Sequence, residues 1–337
     1  MKSKIIKKIV SVIVLTTLIV NVTGCGSKKA SETANVPAEE LNKATELRIA
    51  GVNVYFPYVI ALQKGFLEEE LGSSVKVTAA TDFGSGPAMM EAMTAGDIDI
   101  ALLGDMPVIQ VKANNVDVKI ISSLFTSTNG YQLIAAKDSG IKSISNIKGK
   151  KVAVMSGSTN HKLLLKYLEK EHLSEEDLEI VFLKNAEQLA AFVGHNVDAA
   201  VTQVPTSTNI IKETGAYEVV NAEGYDTILT VITGNNEYLR KNPEIVQKFL
   251  KALIKANDWT KDHLDEAVQI ISEYADQDYD AAKLYYETRV FEFSLRQELK
   301  DGLADTINYL YNQGTISNKF NVNDLVDDSY LKALGID

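Results

Sequence analysis

Cysteine is nearly absent from this chain: Cys25 is the only one. No disulfide can staple the body of the protein, and no thiolate cluster can hold a metal there. Histidine is almost as scarce. His161, His172, His195 and His263 are scattered, with no i,i+4 pair to place two imidazoles on one helix face, which argues against a transition-metal receptor. Asp276, Asp278, Asp280 and Glu287 have some of the spacing of a calcium loop, but Ala281 stands where the sharp turn needs glycine, and the segment continues as a helix pattern; no metal is expected. Positive charge is in deficit, with 34 Lys and Arg against 45 Asp and Glu, a formal net charge of −11. Removing the four lysines that precede Cys25 leaves −15, a surface that argues against nucleic acid. No internal repeat stands out, and neither a Ser-His-Asp arrangement nor a pair of catalytic carboxylates is marked by spacing. An enzyme is not expected, nor a cofactor.

The longest apolar run, residues 9–20, is about twelve residues long and too short to span a bilayer. Lys2, Lys4, Lys7 and Lys8 precede it as a basic n-region, and Val22-Thr23-Gly24-Cys25 follows. This last segment resembles a bacterial lipobox, with Val where Leu is commoner. The resemblance implies cleavage before Cys25 and attachment of a diacylglycerol to its thiol; a plain signal peptide cut nearby is the alternative. Residues 1–24 are then the signal peptide. Residues 25–45 are the lipidated cysteine and a polar, turn-rich tether with a reach of roughly 25 Å. Acyl chains of this kind hold a protein firmly to a membrane, here on the extracytoplasmic face.

About 290 residues remain, enough for two domains of ordinary size. Apolar runs at 47–52, 75–79, 116–124 and 130–136 read as strands, and a Pro-initiated helix is expected over 57–71. The rhythm repeats at 152–155, 180–183, 199–202, 217–220 and 227–233, with helices opening near 156 and 186 between them. Such alternation predicts an α/β fold with a largely parallel sheet. From Asn242 onward the chain reads as helices, with Ile245, Val246, Phe249, Leu250 and Leu253 on one face and no convincing strand. Two connections between the halves are what a hinged, two-lobed protein requires. Lobe 1 is expected over 46–134 and 226–337, and lobe 2 over 135–225.

Residues 83–107, FGSGPAMMEAMTAGDIDIALLGDMP, carry two turns that each open a helix, joined by a helix and a buried strand. Helix N-termini present unpaired N–H groups and partial positive charge, so two of them facing one cleft make an anion pocket. Ser85 reads equally as a cap ahead of Pro87. A carboxylate repels an anion, so Asp105 is expected to cap a helix beginning at Pro107, leaving backbone N–H groups near Met106 to a ligand; contact with the amine of a zwitterionic ligand is the alternative. Ser158, Thr159, Asn160 and His161 are polar groups at another helix start, where capping and ligand contact can coexist; His161 reads equally as a surface residue of that first turn. Asn53, Tyr55 and Phe56 follow the first strand, at the end where parallel strands meet a crevice; the aromatics also suit a core. Asn129 beside Gly130 reads as hinge or ligand contact.

Several motifs in combined order carry a family resemblance: Gly65-Phe66-Leu67-Glu68, Ser85-Gly86-Pro87, Gly96-Asp97-Ile98-Asp99, Gly104-Asp105-Met106-Pro107, the segment 147–154, Gly157-Ser158 with His161 and Leu164, and Asn242-Pro243-Glu244 with Trp259. The chain resembles the substrate-binding lipoproteins of ABC importers in the aliphatic sulfonate, taurine and nitrate group, which includes thiamine-pyrimidine binders. The resemblance spans roughly residues 46 to 300. It implies a two-lobed, periplasmic-binding-protein-like (type II) fold with a hinge and a helical C-terminal region. It also implies a small-molecule ligand such as a sulfonate-like oxyanion, captured between the lobes and passed by a monomeric receptor to a membrane permease driven by an ATPase. Ser85-Gly86-Pro87 and Gly104-Asp105-Met106-Pro107 would form one cleft wall, and 157–161 the other. Where the family often has an aromatic-Asp-Pro turn, this chain reads Gln203-Val204-Pro205, so an acidic contact for a ligand ammonium is missing. A thiamine-type pyrimidine or other heterocycle, suggested by Tyr55, Phe56 and Tyr131, and a tethered sensory receptor are the alternatives.

Overall fold

The computed structural model describes residues 46–81 and 83–336. The expectations for the signal segment, Cys25 and the tether lie outside the described residues. Strand β1 (Glu46–Ala50) leads into two helices, α1 (Phe56–Gln63) and α2 (Phe66–Leu71), then β2 (Lys76–Ala80), α3 (Gly86–Ala95), β3 (Ile100–Gly104), α4 (Asp105–Ala113) and the long β4 (Val118–Ser127). The single helix expected over 57–71 is thus broken in two. Gly65 breaks it by adopting φ +73°, a left-handed conformation that glycine takes without a Cβ penalty. The first of the pair is buried on all sides at Phe56, Tyr58, Val59, Ile60 and Ala61.

After β4 the chain crosses to a second sheet: β5 (Tyr131–Ala135), β6 (Lys151–Val154), α5 (Thr159–Lys170), β7 (Glu179–Phe182), α6 (Asn185–Val193), β8 (Ala199–Gln203), α7 (Thr206–Thr214) and β9 (Tyr217–Asn221). It returns as β10 (Ile228–Asn235). The six strands of the first sheet run β11-β4-β10-β3-β1-β2, where β11 (Val290–Phe291) is contributed later; the five of the second run β7-β6-β8-β5-β9. The expected lobe boundary at 134/135 falls inside β5, which pairs wholly within the second sheet.

Neither sheet is largely parallel, contrary to expectation. Pairing is parallel between β1 and its neighbours β2 and β3, and between β6 and its neighbours β7 and β8, but β5 and β10 run antiparallel to both of their neighbours. The crossings explain this. Strands in β-α-β units point their C-terminal ends at the space between the sheets, whereas β5 starts there, at Tyr131, and runs away from it. A strand joined by a short crossing, without a helical return on the same sheet, inserts antiparallel.

The C-terminal region packs on the first sheet as α8 (Asn236–Lys241), α9 (Pro243–Asp262), α10 (Leu264–Ala275), α11 (Tyr279–Glu287), α12 (Gln297–Asn312) and α13 (Ser329–Lys332). Ile245, Val246, Phe249, Leu250 and Leu253 are all buried there. Strand β11, which the sequence did not suggest, is only two residues long and pairs with β4 through Val290–Thr126 and Phe291–Phe125; no periodicity can register in so short a run. The second sheet has a core on each face, with Leu133, Val152 and Val154 on one side and Ile134, Ala153 and Ala200 on the other, as period-two alternation demands.

Candidate ligand cleft

The C-terminal ends of the parallel strands from both sheets meet at one place, and helices begin there. Helix α3 is capped by Ser85, whose Oγ accepts from the Ala88 N–H (3.3 Å), with Pro87 in its first turn. Helix α5 is capped by Ser158, whose Oγ accepts from the His161 N–H (3.3 Å) while donating to the Met155 carbonyl (2.6 Å). Capping uses one N–H of each helix and leaves earlier first-turn N–H groups, those of Gly86, Thr159 and Asn160, without an intrahelical partner.

Two glycines allow close packing here. A Cβ on Gly104, at the end of β3, would lie 1.9 Å from the Thr159 Oγ1 of the opposite sheet's helix. Within the first wall, a Cβ on Gly86 would lie 2.9 Å from Pro107 Cγ, so glycine there lets α3 pack on α4; it is Gly104 that brings the two walls together. The two sides therefore touch, enclosing a cavity of about 290 Å³. That is the small end of ligand-pocket sizes, roughly 300–1,000 Å³, and suits a molecule of few non-hydrogen atoms.

Asn53, Tyr55, Ser85, Gly86, Ser158, Thr159, Asn160 and Gln203 all line this cavity, although they come from positions up to 150 residues apart. Tyr131, which the sequence suggested only for a heterocyclic ligand, lines it too, and three contributors carried no sequence signal of this role: Thr81, Met155 and Asn185, the last at the start of α6. The side-chain oxygens of Asn160 and Asn185 are buried without a hydrogen-bond partner. Among the described residues, no lining side chain carries a formal charge.

The remaining five expected residues lie elsewhere. Phe56 sits in the core beneath, against Tyr285, Tyr286 and Phe291. Met106 is fully buried, and its N–H is taken by Asp105 Oδ1 (2.8 Å), so it is not offered to a ligand. Asn129 is exposed at the crossing between β4 and β5. His161 turns outward: Nδ1 accepts from the Gly157 N–H (3.3 Å), which leaves Nε2–H to meet Glu175 Oε1 (2.8 Å).

Asp105 is not a cap, because α4 begins at Asp105 itself, with Gly104 in the cap position. Its carboxylate instead meets Lys162 of α5, whose Nζ donates to Asp105 Oδ2 at 2.9 Å and lies 3.1 Å from Asp226 Oδ2. Thr306 of α12 donates to the same Asp105 oxygen at 3.3 Å. Lys162 is 1% exposed and Asp105 2%. Burial works against the lysine's charge, yet the two carboxylates outweigh it and hold Lys162 above the usual lysine range. Asp226 is raised, chiefly by burial, with Lys162 pulling the other way. This pair joins the two sides through the interior. Lys162 sits inside the apolar run Leu163-Leu164-Leu165 with no local mark of its role.

A wider groove of about 790 Å³ is lined by Asp105, Asp226, Glu298, Asp301 and Asp305 with only Lys166 and Arg296 in opposition. Even with Lys162 buried behind Asp105 and Asp226, five carboxylates outnumber three cations and repel an anion, so the smaller neutral cavity is the better candidate for one.

The family described as NMT1/THI5 like matches residues 53–267. A Bacillus subtilis (strain 168) relative, named for aliphatic sulfonate binding, is 28% identical over 322 residues, 95% of each chain. Among solved structures, the alkanesulfonate-binding protein SsuA from Xanthomonas axonopodis pv. citri bound to MOPS superposes with a TM-score of 0.79 at 22% identity, over 85% of this chain and 99% of that one. The periplasmic aliphatic sulphonate binding protein SsuA from Escherichia coli gives 0.74 at 22% identity, over 86% and 100%. These structures share the two-lobed periplasmic-binding-protein fold with this chain.

Proposed function

The chain belongs to the NMT1/THI5-like family, and from that premise and the cleft we propose that it is the solute-binding lipoprotein of an ABC importer. It captures a small organosulfonate or related oxyanion between its lobes and delivers it to a membrane permease. The two sheets, with their helices, act as the lobes, hinged at the crossings β4–β5 and β9–β10. A lipid on Cys25 tethers the monomer to the outer face of the cell membrane. The observation that carries the reading is the small, uncharged cavity walled by first-turn N–H groups of α3 and α5, one helix from each side. Such a site offers donors to oxyanion oxygens without a cation in contact.

Relatives named as binding proteins favour a receptor over an enzyme. The test is the full chain in detergent, screened by thermal shift against methanesulfonate, ethanesulfonate, taurine, nitrate and sulfate. Ligand at a hundred times its dissociation constant adds about 2.7 kcal/mol to stability. A shift with none of them refutes the oxyanion assignment. Tyr55 and Tyr131 on the cavity wall favour a second reading, a pyrimidine-type heterocycle; quenching of intrinsic fluorescence by pyrimidines, without response to sulfonates, would select it. The anchor is checked by mass spectrometry of the mature N-terminus and by release of the Cys25→Ala chain into the medium.

A further inference from the structure

Arg289, between α11 and β11, is 6% exposed. Its Nη1 donates to the Tyr285 carbonyl (2.9 Å) and Thr288 Oγ1 (2.8 Å), and its Nη2 to the Val204 carbonyl (3.2 Å). Every one of these acceptors is neutral, and Nε has no partner. No carboxylate pairs with Arg289 among the described residues. A buried guanidinium without a counter-ion is expensive, and stacking on Tyr285, 3.4 Å from the guanidinium carbon to the ring centroid, offsets only part of that cost.

The charge lies directly behind the cleft. Tyr131 lines the cavity on one face, and the Arg289 guanidinium carbon is 5.6 Å from its ring centroid. Val204, which accepts from Nη2 across the lobes, follows Gln203, another lining residue. Space for the guanidinium is kept at the crossing by Gly130, where a Cβ would come within 3.0 Å of Nη1. A neutral cavity thus has a single uncompensated cation beyond one aromatic ring, and no lining carboxylate among the described residues.

We infer that Arg289 is the specificity-determining positioning residue of this cleft: it supplies the counter-charge for a singly charged anion and sets the preference for monoanions over zwitterions and neutral isosteres. The inference rests on the oxyanion reading above and deepens it. The anion takes its hydrogen bonds from the helix N-termini and neutral side chains, while Arg289 acts through space without touching it. A unit charge about 8 Å away at an effective dielectric constant of about 20 corresponds to roughly 30-fold in affinity. An ammonium on the ligand opposes the same field, so taurine binds more weakly than ethanesulfonate.

The experiment is calorimetric titration of the full chain in detergent with ethanesulfonate, taurine and ethanesulfonamide, for the wild type, Arg289→Met and Arg289→Lys. The wild type is expected to prefer ethanesulfonate to the sulfonamide by about 30-fold or more. Arg289→Met should lose most of that ratio, with sulfonamide affinity little changed, and Arg289→Lys should restore it. A purely structural role would depress all three ligands together. If Arg289→Met does not fold, as judged by circular dichroism, the wild-type preference and the lysine variant still decide. Equal binding of sulfonate and sulfonamide by the wild type, or an unchanged ratio in the methionine variant, overturns the inference and leaves the importer reading standing. If the wild type binds no anion, both fall.

Discussion

Lys162→Met tests whether the buried charge network holds the lobes together. In the structure Lys162 is the cation in direct contact with both Asp105, at 2.9 Å, and Asp226, at 3.1 Å, and both contacts are nearly or largely withdrawn from solvent. Methionine fills a similar volume but leaves two carboxylates facing each other. Removing one partner of a buried pair costs about 3–5 kcal/mol, because the charge left behind is not rehydrated. Asp105 opens α4 on the first sheet, whereas Lys162 lies in α5 on the second. When the lobes part, both groups gain water and the penalty largely disappears. The loss therefore falls on the closed form, and about 3 kcal/mol becomes roughly a hundredfold weaker ligand binding. The melting temperature of the unliganded protein should fall much less than a wholly structural defect of that size requires. The sign with pH is also fixed. Without the lysine, one of the carboxylates takes up a proton more easily, and Asp226 is already raised by burial. The binding defect should accordingly shrink between pH 7 and pH 5. The assay is titration of a bound oxyanion at both pH values, with small-angle scattering to follow closure. A dissociation constant within threefold of wild type, or a defect that grows at low pH, refutes the reasoning.

Other perturbations follow from the same geometry. Gly104→Ala places a methyl group where Thr159 Oγ1 lies 1.9 Å away; scattering should show a more open particle in the presence of ligand, with affinity at least tenfold weaker and thermal stability of the free protein nearly unchanged. Ser85→Ala removes the α3 cap and should cost about 1 kcal/mol, a few degrees or less in melting temperature. Asp328 is held below its ordinary 3.8 chiefly by its hydrogen bond to Lys300. That contribution is present above pH 3.8 and is lost as pH falls through the lowered value, so Asp328→Asn should flatten the acid limb of melting temperature against pH below about 4. His161→Ala, which removes the bond to Glu175 outside the cavity lining, should leave ligand affinity within about threefold, measured by the same titration; a tenfold loss would put His161 in the site.

How much of this was legible beforehand depended on how local each signal is. Ser85 followed by Pro87, and Ser158 ahead of Thr159, announce helix starts within four residues, and the structure has α3 and α5 beginning there. The apolar face of α9 repeats with helical period and is buried accordingly. By contrast, Asp105 reads as a cap by its neighbours alone, since the lysine that claims its carboxylate stands 57 residues away. Arg289 has no distinguishing local pattern, and its bond to the Val204 carbonyl spans 85 residues.

By itself the sequence determined the alternation of strands and helices, the helix starts that face a cleft, and the family to which the chain belongs, because propensity, capping and motif order are written in neighbouring residues. The tertiary structure alone decided the antiparallel insertion of β5 and β10, the enclosure of a 290 Å³ neutral cavity, the burial of Arg289 behind it and the burial of Lys162 between Asp105 and Asp226. Those depend on where the chain crosses between sheets and on charges brought together from distant segments. Burial then amplifies each such charge, and no local pattern records that burial.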